Sequence, residues 1–199
     1  MLSALLILAA LLSFVWTPWS PYEMDLANKL ATPSGTHWLG TDAFGRDVAS
    51  LLLVGARNSI LVGVIAVGIG LTIGTALGLL AAAKRGWVEE LIMRLADFTF
   101  AFPAILSAIM MTAVFGAGIV NSIIAIGIFN IPTFARVTRA SANAVWSREY
   151  ILASRACGKG SWRITLEHVL PNILSVLIVQ ATIQLSLIHI SEPTRRRGI

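Results

Sequence analysis

Few residues in this 199-residue chain could do chemistry, and most lie in the stretch SREYILASRACGKGSWRITLEHVLP, Ser147 to Pro171. Gly158-Lys159-Gly160-Ser161 comes nearest to a phosphate-binding loop, in which backbone N–H groups and a lysine cradle phosphate. The G-x-x-x-x-G-K-[ST] spacing fails, because Ala153 stands where the first glycine belongs and Gly160 follows the lysine. Cys157 sits among basic residues, a setting that activates thiols, but it also reads as a small residue on a helix face. As the only cysteine, it excludes a disulfide within the chain. There is no H-E-x-x-H and no G-x-S-x-G. His37 and His168 fall on opposite sides of the membrane in the topology derived below, so they make no metal pair. No catalytic set, metal site or cofactor is expected, and the chain does not read as an enzyme.

The elements that carry these residues are more informative than the residues themselves. Residues 149–157 contain no breaker and place Tyr150, Ala153 and Cys157 on one helical face. Gly158 and Gly160 supply the freedom that ends a helix, and Ser161 is an acceptable N-cap for the next. Trp162, Thr165 and Val169, with Ile164 and His168, follow at helical spacing, and Pro171 marks entry into another apolar run. Arg148, Arg155, Lys159 and Arg163 face only Glu149 and Glu167 in charge. A helix–glycine–helix elbow between two apolar runs reads as a docking handle.

The solvent of those runs is lipid. Hydrophobic residues make up 56% of the chain, charged residues 13%, and the mean hydropathy is +0.80. A soluble domain carries about 25% charge. The formal charge of +5 does not point to nucleic acid, since no basic cluster has interleaved aromatics for base stacking. The segment LSLIHISEPTR, residues 185–195, resembles the in-frame translation of a transposase-based sequencing adaptor. The rival reading is a basic juxtamembrane tail on anionic lipid, but an eleven-residue match is the more specific signal. Residues 185–199 are therefore read as a non-native tail and set aside. Without them Lys+Arg falls from 15 to 12 and Asp+Glu from 10 to 9, leaving +3. On this reading the native C-terminus and the final spans lie beyond a fragment of about five spans.

Met1 to Trp16 is an uncharged apolar run and is expected to be a first transmembrane helix, clipped at its start. It lacks the basic n-region and small-x-small site of a signal peptide. Residues 17–56 form a polar excursion. Within it, Thr41 or Asp42 can cap a helix in which Phe44, Val48, Leu51 and Leu52 share a face, predicting an interfacial helix, with an ordered loop and a capped helix as the alternative that periodicity does not exclude. Residues 57–184 form the transmembrane core. Asn58 to Ala83 is its clearest span, with Ala66, Gly70, Gly74, Gly78 and Ala82 on one face. Helices in lipid associate by close packing, so this stripe predicts a helix buried against neighbours. Trp87 to Asp97 reads as an amphipathic connector, Phe98 to Gly116 as a span kinked at Pro103, and Ile119 to Phe134 as a span interrupted at Asn130-Ile131-Pro132. A polar loop, 135–168, precedes a last span from Val169 to Gln184.

Basic residues set the orientation. With the first helix entering from the cytoplasm, residues 17–56 lie outside with Lys29 and Arg46 against four acids. The loops at 84–97 and 135–168 lie inside with nine basic residues. The elbow then faces the cytoplasm.

At this point the residues resemble a family. The elbow is similar to the cytoplasmic E-A-A-x3-G-x9-I-x-L-P signature of ABC importer permeases, with Ala153, Gly158, Leu170 and Pro171 in register. REYILASRACGKGSWRITLEHVLPN, HWLGTDAFGRDVASLLLVGARNSILVG, DFTFAFP and PTFARVTRA resemble the dipeptide, oligopeptide and nickel permease subfamily, over roughly residues 20–184. Leu152 and Ser154 depart from the E and second A, and His168 departs from the I. The resemblance implies an all-α, polytopic fold of the type I importer kind in a bacterial inner membrane, with residues 17–56 periplasmic. It implies ATPase coupling through Glu149, Tyr150, Ala153, Ala156, Gly158, Leu170 and Pro171. It implies as partners cytoplasmic ABC ATPase subunits, a second permease subunit, an extracytoplasmic solute-binding protein and the lipid bilayer. Peptides are the first substrate class it suggests, with nickel or another small solute open. The alternative is a membrane assembly protein whose elbow binds another partner without ATP coupling.

Overall fold

The computed structural model describes residues 10–14, 16–116 and 118–190. Among them, regular structure is helical apart from one isolated bridge between Thr41 and Asp47. The chain divides into two units, Met1–Val62 and Gly63–Ile199. Most of the run expected to be the first transmembrane helix lies outside the described residues, as do residues 191–199 of the tail.

In the first unit the polar excursion is an ordered loop built on two aspartates. Asp42 accepts the N–H groups of Phe44 (2.8 Å) and Arg46 (2.9 Å) and pairs with the Arg46 guanidinium at 2.6 Å. Partial desolvation opposes its charge, yet Arg46 and these N–H groups hold the carboxyl below the usual carboxylate range. Gly45 has φ +77°, and an added Cβ would run into the Asp25 carbonyl, so both conformation and space demand glycine there. Asp47 is buried. It accepts the N–H and hydroxyl of Ser50, both at 2.8 Å, and lies 3.1 Å from His37 Nδ1. Ser50 Oγ accepts the Trp19 N–H at 3.0 Å, and Trp19 Nε1 donates to the Thr36 carbonyl at 2.9 Å.

Helix α1, Val48–Ile69, starts here, and its N-terminal cap is Asp47 rather than Thr41 or Asp42. Phe44 lies in the preceding turn, so no separate interfacial helix forms. Asp42 is committed to closing its own turn and has no acceptor left for a helix end.

In the second unit α1 passes through a π-helical turn, Gly70–Gly74, into α2, Thr75–Lys84. The wider turn frees a carbonyl, and the Thr72 hydroxyl donates to Gly68 O at 2.8 Å. Helix α3 spans Gly86–Ala101, α4 Ala104–Phe115 and α5 Ile119–Trp146. The small-residue face of the π turn and α2 packs on α5. A Cβ at Gly74 would lie 2.5 Å from Ile131 O, and one at Gly78 2.6 Å from Ala135 O. Ala66 and Ala82 are fully buried on the same face.

Pro103 and Pro132 behave differently from the sequence expectation. Phe102 is extended (φ −90°, ψ 126°), so the expected span 98–116 is split at Pro103 rather than kinked. Helix α5 instead runs straight through Pro132, and the polar stretch from Arg136 to Trp146 is helix, not loop. Phe102 and Pro103 are exposed, so nothing offsets the roughly 3 kcal/mol that an interior proline costs a helix. Asn130, Pro132, Phe134 and Ala135 are buried, and that packing carries the helix across the defect. Beyond Pro132, Ala135, Thr138, Ala142 and Trp146 form the buried face of α5. Arg136 and Arg139 on the outer face pair with Asp97 and Glu89 of α3, the latter at 3.2 Å.

Among the described residues three helices are long and apolar enough to cross a membrane: Val48–Lys84, Ile119–Trp146 and Ser161–Ser186. The 37-residue first helix is about 55 Å long at 1.5 Å per residue, well beyond a ~30 Å hydrocarbon core. The expected all-α, multi-span architecture is present.

Candidate functional site

The elbow begins where α5 ends. Arg148 adopts an extended conformation (φ −76°, ψ 145°), turning the chain into the eight-residue α6, Glu149–Ala156. Gly158 follows at φ +81°, the left-handed conformation that closes the helix. Gly160 then caps α7, Ser161–Ile164, with Ser161 the first helical residue rather than the cap. A second π-helical turn, Thr165–Val169, leads into α8, Leu170–Ile190, and the Thr165 hydroxyl donates to Ser161 O at 2.9 Å.

An eight-residue helix is unstable alone in water; this one is anchored. Ile151, Ile164 and Val169 have no exposed surface and pack with Trp146, Ala142 and Ile173 in one apolar cluster. Burying a side chain such as Ile151 is worth about 1.5–3 kcal/mol, enough to hold a helix of this length in place. The Arg155 guanidinium lies over the Trp146 ring at 4.8 Å.

With Ile151 inward and Ser154 half-buried, the other residues of α6 are exposed. Tyr150 is 45% exposed and Leu152 54%. Ala153, Ala156, Cys157 and Gly158 are exposed as well. A Cβ added at Gly158 would meet nothing within 4 Å, so the turn is open to solvent. Glu149 occupies the first turn of α6, where a carboxylate favours the helix dipole. Leu170 is half-buried and Pro171 exposed at the start of α8. Tyr150, Ala153, Ala156 and Gly158 are thus all exposed, and Leu170 and Pro171 lie beyond the turn at the head of α8.

Several contributors are not obvious in the sequence. Ile151 and Ile164 anchor the elbow from positions that no simple periodicity joins across the glycine turn. Lys159 Nζ donates to Glu167 Oε2 at 2.7 Å, and Arg163 Nε donates to Glu167 Oε1 at 2.6 Å. The i,i+4 spacing of Arg163 and Glu167 signals their pairing, whereas that of Lys159 does not. His168 Nε2 lies 3.2 Å from Lys159 Nζ and 3.4 Å from Ser154 Oγ. Among the described residues no group of three or more His, Cys, Asp or Glu side chains is arranged to hold a metal ion.

Comparison with known proteins gives the family. Residues 74–191, from the π turn through α8, match the family described as binding-protein-dependent transport system inner membrane component. The chain is 42% identical to the glutathione transport system permease protein GsiD of Pectobacterium atrosepticum over 158 residues, 79% of this chain and 52% of that protein. It is 42% identical to the dipeptide transport system permease protein DppC of Alkalihalophilus pseudofirmus over 177 residues, 89% of this chain and 58% of that one. It is likewise 42% identical to GsiD of Escherichia coli O157:H7 over 190 residues, 93% and 63% of the two chains. The chain therefore spans between half and two thirds of the length of these relatives, all of them named transport system permease proteins. With the elbow inside the matched region, the chain belongs to the family of binding-protein-dependent transport system inner membrane components.

Proposed function

We propose that the chain is part of a transmembrane permease subunit of an ATP-binding-cassette importer, with α6 as the helix that receives a separate cytoplasmic ATPase. The single observation that supports this best is the division of α6: Ile151 locked in the core, and Tyr150, Ala153, Ala156 and Gly158 left as an open surface of small residues and one aromatic ring. A groove on a partner can approach such a surface closely. The elbow lies in the cytoplasm by its excess of basic residues. ATP-driven movement of the ATPase displaces α6, and α5 and α8, joined to it on either side, change their tilt to alternate access. A second permease subunit completes the pathway and an extracytoplasmic binding protein delivers the solute. The permease itself hydrolyses nothing.

Peptides are the favoured cargo, since relatives named for glutathione and for dipeptide transport are 42% identical to this chain. Glutathione is itself a tripeptide, so both names describe short peptides.

The test is co-purification of the full-length permease expressed with its neighbouring genes. Capture of an ATP-hydrolysing subunit, lost when Ala153 is replaced by a bulky residue, is the expected result. A stable membrane complex with no ATPase would replace this reading with that of an assembly protein whose elbow binds another partner.

A further inference from the structure

The elbow also carries a polar network. Lys159, in the glycine turn, reaches both Glu167 (2.7 Å) and His168 (3.2 Å) in the π turn that begins the last helix. Arg163 holds the other Glu167 oxygen at 2.6 Å. His168 in turn faces α6, with Ser154 Oγ at 3.4 Å and the Tyr150 ring edge-on at 6.2 Å between centroids. The network therefore joins α6, the turn and the head of α8.

Its position matters because the backbone hydrogen bonds of the turn run back into α6, from the Gly158 N–H to Arg155 O at 2.9 Å and from the Lys159 N–H to Ser154 O at 3.2 Å, rather than forward to α8. Neither Gly158 nor Gly160 would meet another atom within 4 Å through an added Cβ, so both glycines lie in open space. Ile151 is the one buried residue of α6. With the Arg155 guanidinium over Trp146 it anchors α6 to the core; a short helix so lightly held can still pivot, and a further attachment toward α8 removes that freedom. We propose that Lys159, Glu167 and His168 are positioning residues: they fix the angle between α6 and α8, so that a displacement of α6 moves α8 instead of being absorbed in the glycine turn. What displaces α6 rests on the permease reading above; the fixed angle does not.

The experiment uses the full-length permease in its complex, in a Cys157→Ser background, with spin labels at Leu152 on α6 and Leu174 on α8, both exposed. Lys159→Met should broaden the distance distribution at least twofold, and Lys159→Arg should keep it narrow. Transport per ATP hydrolysed should fall about fivefold in Lys159→Met, the scale set by losing a partly exposed ion-pair network, with ATPase binding and hydrolysis retained. Lys159→Arg should restore it. Glu167→Gln supplies the same readings should Lys159→Met fail to accumulate. A distribution as narrow as the unsubstituted protein's, or broadening with unchanged coupling, overturns the proposal. If the unsubstituted permease captures no ATPase, the importer reading falls, while the distance measurement still decides the brace.

Discussion

Replacing Gly74 by alanine tests the packing on which the membrane core rests, and a built-in control separates packing from propensity. An added Cβ at Gly74 would lie 2.5 Å from Ile131 O, 2.7 Å from Phe134 Cβ and 3.1 Å from Ala135 N. Non-bonded carbon atoms prefer about 3.5–4.0 Å, so α5 must retreat by roughly 1 Å. Two of the three opposing atoms are backbone and the third is a Cβ, so none can rotate away. Overpacking of this kind costs about 1–3 kcal/mol, and the rigidity of the neighbours favours the upper half of that range. Against it stands a gain of up to about 1 kcal/mol from replacing glycine within a helix. Gly68 shares the gain without the cost, since nothing lies within 4 Å of its added Cβ. The difference between Gly74→Ala and Gly68→Ala therefore isolates the contact at about 2 kcal/mol. Titrating the detergent-purified protein with SDS and following helicity by circular dichroism gives both values. Gly78→Ala, opposed by Ala135 O and Thr138 Cβ at 2.6 Å each, should resemble Gly74→Ala. The double variant should lose less than the sum, because one retreat of α5 relieves both clashes. Equal stability of Gly74→Ala and Gly68→Ala would refute the packing of the small-residue face on α5.

Three further outcomes follow from particular contacts. Burial opposes the charge on Asp47, but the Ser50 N–H and hydroxyl and then His37 outweigh it and hold the carboxyl below its usual range. Both Asp42 and Asp47 thus titrate lower in the folded loop than in an unfolded chain, at about 3.9. Their contribution to stability is complete above about pH 4 and drains away as pH falls through the folded values. Asp47→Ala should also cost about 1 kcal/mol at pH 7 through the lost cap, whereas Asp47→Asn should keep the cap and flatten the acid dependence. Circular dichroism between pH 7 and 3 checks this, and a loop that loosens on raising the pH contradicts it. In the core, Gln184 Nε2 donates to Asn130 Oδ1 at 2.9 Å between α8 and α5. Asn130→Ala keeps the Cβ that faces Gly70 and removes only this bond, so SDS titration should register about 0.6 kcal/mol; a loss several times larger would mean that Asn130 does more. At the elbow, Gly158→Val imposes about 1–2 kcal/mol of left-handed strain with no steric clash. It should leave membrane insertion intact and abolish uptake of a short peptide; normal uptake would remove the turn from the coupling mechanism.

How far the sequence reaches is clearest from residues that come in pairs. Pro103 and Pro132 read alike on paper, each an apparent interruption of an apolar run. One splits a helix and the other does not, because Asn130, Pro132, Phe134 and Ala135 are buried while Phe102 and Pro103 are exposed. A proline's local cost is the same in both places, and only tertiary packing decides whether it is met. Arg136 to Trp146 likewise reads as polar loop, since its arginines hide an i, i+3, i+7, i+11 pattern of Ala135, Thr138, Ala142 and Trp146.

By itself the sequence determined the class of solvent, the helical and multi-span character, the small-residue face and the helix–glycine–helix elbow. Each depends on composition or on short-range spacing, which the chain carries in any conformation. The tertiary structure alone decided what the small-residue face meets, and that Asp47 rather than Asp42 caps α1. It also decided that Ile151 turns inward while Tyr150 and Ala153 stay open, and that Lys159 bridges to Glu167 and His168. Those depend on which distant residues arrive next to one another, and a glycine turn at Gly158 leaves that choice to packing.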